Sequence, residues 1–103
     1  DVVVDLRHDS STFGTWQAFE IDAIKHHQVW VPPGFGHAFL ALEDETQLLY
    51  KCTAVYNADG EGNIHPFDPD LAIDWPLERS AIQLSARDQA GASFADYQQH
   101  PRF

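Results

Sequence analysis

The turn Pro32-Pro33-Gly34 constrains this chain more than any other stretch. Val29, Trp30 and Val31 precede it, and β-branched and aromatic residues favour extended backbone. Each proline fixes φ and lacks an N–H, while Gly34 can take the positive φ of a tight turn, so the strand must stop here. A second strand starts at once. Phe35, His37, Phe39 and Ala41 point to one face, and Gly36, Ala38, Leu40 and Leu42 to the other. His37 therefore sits just past a rigid turn, on an aromatic face of a sheet. Such a side chain could meet a ligand inside a β-barrel. The plainer alternative, favoured from this stretch alone, is a buried histidine bonded to a backbone carbonyl.

The remaining pattern is also β-rich. Residues 2–6 read as a buried strand, 7–14 as a polar turn closed by Phe13-Gly14, and 15–21 as a strand with Trp16 and Ala18 on one face. Residues 43–46 form an acidic hairpin turn. Residues 47–56 predict a long strand with Leu48, Tyr50, Cys52 and Ala54 on one face. A Gly/Asp-rich loop spans 57–63. Residues 67–76 carry too many turn residues for a helix and are expected to be irregular, packed by Leu71, Ile73 and Trp75. Residues 82–84 read as a last short strand. Ser85 is placed to cap a helical turn with an acidic first turn, and the tail after Ala92 is open to helix or coil. Short strands between Gly/Pro turns point to an antiparallel sandwich or barrel, in one domain over 1–103.

Composition narrows the function classes. With 103 residues the chain makes one small domain, and 44% hydrophobic and 13% aromatic residues make it globular. Net charge is −10 with six Lys and Arg, which argues against a nucleic-acid surface but not against a phosphate-bearing small molecule held by a few local cations. No apolar run reaches membrane-spanning length and no signal peptide is visible. Cys52 stands alone, which excludes an internal disulfide and suits a reducing, cytoplasmic compartment. The chain has no methionine and opens in strand pattern at Asp1. The expectation is a fragment or processed chain, whose front strands are missing and whose open sheet edges invite oligomerisation.

Several groups could carry chemistry. Pro32, Gly34 and His37 fit the Pro-x-Gly-x-x-His frame of the second cupin half-motif, but one histidine cannot hold a metal, and His26 and His27 point apart in extended chain. Metal is therefore not expected. Cys52 reads as a small strand residue rather than a nucleophile. Tyr50 follows the His37 strand, and a phenol inside a barrel can give a proton to a developing enolate. Its plain reading is a core tyrosine bonded at the rim. Asp88 is either a first-turn helix carboxylate or one that orients a catalytic histidine.

Taken in order, Val4-Asp5-Leu6-Arg7, Ser11-Thr12-Phe13-Gly14 with Trp16, 28–37 as a block, Leu49-Tyr50-Lys51-Cys52-Thr53, Asp68-Pro69-Asp70-Leu71, Ile73-Asp74-Trp75-Pro76, and Leu84-Ser85 with Asp88 resemble the dTDP-4-dehydrorhamnose 3,5-epimerase family over nearly the whole chain. The resemblance implies an all-β, cupin-type jelly-roll barrel, here partial, with a short C-terminal helical segment. It implies a homodimer with no metal and no cofactor. The implied substrate is a dTDP-4-keto-6-deoxyhexose, and the reaction inverts carbons 3 and 5. The 4-keto group acidifies the neighbouring C–H bonds, a histidine base removes a proton from one face, and a tyrosine returns one from the other. On this reading Tyr50 is similar to the proton donor and Asp88 to the carboxylate that supports the base. His37, Glu61 and Arg87 fall where the family contacts substrate, and Tyr56 resembles the ring that stacks on thymine.

The chain also departs from that pattern. The family's base histidine lies in a Gly-Leu-His-Tyr setting, and none of His8, His26, His27, His65 or His100 has it. Gly36-His37-Ala38 replaces the more usual Ala-His-Gly order. The expectation is that these 103 residues alone do not epimerise. The alternatives are a non-catalytic module that binds a nucleotide sugar and a small cupin-like assembly scaffold.

Overall fold

The computed structural model describes all residues, 1–103. Three strands form one antiparallel sheet in the order β2-β1-β3, with β1 at Val2–Asp5, β2 at Trp16–Ala18 and β3 at Phe35–Ala38. Val3 lies opposite both Gln17 and His37, and Val4 opposite Trp16 and Gly36. Directly opposed residues share a face. One face therefore carries Val2, Val4, Trp16 and Gly36, and the other Val3, Gln17, His37, Asp5 and Phe35.

The first face builds the core. Val2 and Val4 pack with Leu71 and Phe94, flanked by Leu6, Phe13, Trp16, Ile64, Ile73, Trp75 and Tyr97. Each fully buried apolar side chain of this kind contributes roughly 1.5–3 kcal/mol. The 67–76 segment is irregular, as its turn residues require, and Asp68 holds it. Asp68 is 4% exposed; Oδ1 accepts from the N–H groups of Asp70 and Leu71, and Oδ2 from that of Phe94. One carboxylate thus fixes both the Leu71 turn and the start of the second helix.

Two short helices close the chain, α1 at Ala86–Gln89 and α2 at Phe94–Gln99. Each starts on a serine whose oxygen accepts the backbone N–H of an aspartate three residues on, Asp88 for Ser85 and Asp96 for Ser93. Ser85 is the cap its sequence announces, and the tail after Ala92 resolves as helix. No helix is long and apolar enough to cross a membrane.

At the other end of β1, Asp5 is 2% exposed and charged. Its carboxylate accepts five hydrogen bonds, from Arg7 N, Nε and Nη2 and from the hydroxyls of Ser10 and Thr12. The Arg7 bond is the largest cause of an Asp5 pKa held far below the ordinary carboxylate range. Arg7 also lies over the Phe35 ring, 4.7 Å from its centroid, so one guanidinium joins β1 to the head of β3. Gly34 has φ +87°, and a Cβ there would stand 2.6 Å from Arg7 Cγ. The Pro-Pro-Gly turn needs its glycine for conformation and for space alike.

Three expected strands are absent. Residues 29–31, 47–56 and 82–84 hold no ladder. The acidic 43–46 segment turns, with Thr46 Oγ1 donating to Glu43 O at 2.7 Å, but no paired strands flank it. The reason is stoichiometric. A strand needs a neighbour, β1 is already bonded on both sides, and the alternating 47–56 run finds no partner. Only seven of 103 residues are buried, too few to line a closed barrel, and the sheet is partial.

Candidate active site

The 57–63 loop and α1 bring two of the candidate residues together. Asn57 Oδ1 accepts from Asp59 N at 3.2 Å and starts a 3₁₀ turn, Ala58–Gly60. That turn delivers Glu61 toward α1, where Glu61 Oε2 meets Arg87 Nη1 at 2.6 Å. Asn63 Nδ2 donates to the Arg87 carbonyl at 2.7 Å, and the Ile64–Ala92 bridge continues the contact. Asp88 follows Arg87 on the same turn, half-buried, with Ser85 Oγ donating to its Oδ2 at 2.7 Å. A cation and its counter-carboxylate thus meet here, with Asp88 the next residue along α1 and bonded to Ser85.

His37 belongs to a second group, on the polar face of the sheet. Its Nε2 is 2.9 Å from Asp1 Oδ2. A carboxylate only accepts, so Nε2 carries the hydrogen. Burial lowers the imidazole pKa. The same face holds a shallow depression of about 270 Å³ lined in part by Val3, Gln17 and Phe35. A larger one, about 480 Å³, lies around Phe19, Ile21 and Val29 and contains none of the candidate residues.

Tyr50 and Tyr56 do not join either group. They are 68% and 73% exposed, on the unpaired 47–56 stretch. The face expected to carry Leu48, Tyr50, Cys52 and Ala54 lies open in this chain, because no neighbouring strand pairs with the stretch. Trp30, Leu49 and Val55 are exposed in the same region. No cluster of three His, Cys, Asp or Glu side chains has metal-binding geometry.

Sequence reasoning missed the Asp5 network and Arg102. A carboxylate inside a valine run, followed by Arg7, Ser10 and Thr12, was the available signal for the first. Arg102 has no comparable signal.

Comparison with known proteins gives this geometry a context. The family model described as dTDP-4-dehydrorhamnose 3,5-epimerase matches residues 1–96. A dTDP-4-dehydrorhamnose 3,5-epimerase of Mycobacterium tuberculosis is 45% identical over 97 residues, which are 93% of this chain and 48% of that protein. The solved rmlC epimerase of Mycobacterium tuberculosis superposes with a TM-score of 0.90 at 43% identity, covering 95% of this chain and 50% of the other. The dTDP-6-deoxy-D-glucose-3,5-epimerase RmlC of Legionella pneumophila, solved in complex with dTDP-4-keto-L-rhamnose, superposes at 0.78 with 38% identity, covering 99% and 55%. The chain spans about half the length of the relatives it matches.

At these identities the shared fold is that of cupin-type carbohydrate epimerases. Since the family model covers all but the last seven residues, the chain belongs to the dTDP-4-dehydrorhamnose 3,5-epimerase family.

Proposed function

We propose that this chain serves a dTDP-4-dehydro-6-deoxyglucose 3,5-epimerase, carrying its proton donor and part of its substrate site. The observation that carries the reading is the superposition on a relative solved with dTDP-4-keto-L-rhamnose, over 99% of this chain. The reaction needs no cofactor, because the 4-keto group itself lowers the acidity barrier at carbons 3 and 5. A base takes a proton, the enolate holds the charge, and Tyr50 returns a proton to the opposite face. Arg87 faces the diphosphate, with Glu61 fixing its guanidinium, and His37 and Tyr56 contact the sugar and the thymine. Asp88 orients the base, a histidine that this sequence does not supply in the family's setting. Tyr50 is exposed in this chain, so it acts as donor only once substrate or a further segment covers it.

The working unit is a homodimer in the cytoplasm, with residues 1–103 as one portion of a jelly-roll domain. Exposed Trp30, Phe39, Leu42, Leu49 and Val55 support association, because an apolar surface of this kind favours burial against another chain. The test is solvent deuterium incorporation at carbons 3 and 5 of dTDP-4-keto-6-deoxyglucose by the natural full-length gene product. Exchange at both positions is expected. No exchange, together with thermal stabilisation by dTDP, would replace the enzyme by a nucleotide-sugar-binding module.

A further inference from the structure

Arg102 lies beyond the residues matched by the family model, yet it reaches back to the candidate site. Its Nη1 donates to the carbonyl oxygens of Gly60 at 3.0 Å and Glu61 at 3.1 Å. Its guanidinium also covers Gly62, where a Cβ would stand 3.6 Å from Cζ. The backbone of Arg102 is itself anchored. Arg102 N donates to Tyr97 Oη at 3.3 Å, and Tyr97 Oη donates to Leu6 O at 2.8 Å, at the end of β1. A continuous set of contacts therefore runs from the sheet through α2 and Arg102 to the Glu61 backbone, and through the Glu61 carboxylate to Arg87.

The loop has few other ties. Within 57–63, its own bonds are those of the 3₁₀ turn, and only Asn63 is held from outside by backbone pairing, to Ala92. Arg87 grips the Glu61 side chain and Arg102 grips the Glu61 main chain. The two cations act on different parts of one residue, so removing Arg102 leaves the ion pair chemically possible but no longer held in place.

We propose that Arg102 is a positioning residue, which fixes the Gly60–Glu61 backbone so that Glu61 presents Arg87 to an anionic nucleotide-sugar ligand. This deepens the reading above and rests on it for the identity of the ligand. The ordering is present before ligand arrives, so it reduces the entropy that binding would otherwise cost. It acts on binding and leaves the chemical step alone.

The test compares wild type, Arg102→Ala and Arg102→Lys in the natural full-length product. Amide hydrogen exchange over residues 60–63 should accelerate about tenfold or more in Arg102→Ala, with exchange in β1 unchanged. KM for the keto sugar and Kd for dTDP should rise several-fold, with kcat within about twofold of wild type, and Arg102→Lys should restore part of both, because an ammonium can still donate to two carbonyls. Unchanged exchange at 60–63 overturns the proposal. Equal loss of kcat and KM effects with a general fall in thermal stability also overturns it, as that outcome marks a merely structural residue. If wild type shows no turnover, the reaction assigned above fails, while exchange and dTDP affinity still decide the role of Arg102.

Discussion

Glu61 and Arg87 meet side chain to side chain at 2.6 Å, joining a surface loop to the helix that also carries Asp88. Arg87 is exposed and Glu61 half-buried, so solvent screens the pair and its worth lies in geometry. Exposed ion pairs contribute about 0–1 kcal/mol. Glu61→Gln should therefore change the urea midpoint by less than about 1 kcal/mol equivalent, while raising KM for the keto sugar several-fold in a steady-state assay.

Tyr50 offers the sharpest division between folding and chemistry. It is exposed and makes no hydrogen bond that the fold needs. If the proposed reaction holds, Tyr50→Phe in the natural full-length product should leave the thermal midpoint unchanged and lower kcat by roughly 10²–10⁴, the usual contribution of a positioned proton donor. Undiminished kcat in a rapid coupled assay would remove Tyr50 from the mechanism.

Asp5 links stability to pH. Its folded pKa is depressed, chiefly by the Arg7 bond, so folding is favoured by the ionised form. That contribution is complete above the unfolded aspartate value of about 3.9 and is lost as pH falls below it. Asp5→Asn should lower stability by roughly 3 kcal/mol, since it removes the charge facing Arg7 and replaces one of the two acceptor oxygens by an NH2 donor, and should flatten the acid side of the stability curve. Chemical denaturation at several pH values measures both.

Asp68 should show a selective effect. Asp68→Ala removes the acceptor for Phe94 N and for the Leu71 turn. Buried donors left unpaired cost about 1–3 kcal/mol each. Hydrogen exchange should rise first at Leu71 and Phe94, ahead of β1.

The sequence was informative where a local rule and a tertiary partner agreed. Val2, Val4 and Trp16 pair as their side chains require, and Ser85 caps α1 because its oxygen needs no distant help. The 47–56 run obeyed the same alternation without effect, because periodicity describes a face and does not provide a neighbouring strand. Pairs such as Glu61 with Arg87, or Arg102 with Gly60, depend on how two loops close, and no spacing in the chain encodes that. The family resemblance supplied roles for Glu61 and Arg87 but not their contact.

The stem of Arg7 resting on Gly34 has an evolutionary consequence. Those two positions are one unit of inheritance. A side chain at 34 would have to evict the arginine, strip Asp5 of its principal donor and strain the backbone in a single step. Natural variants should therefore keep both residues or abandon both, with the carboxylate lost alongside them.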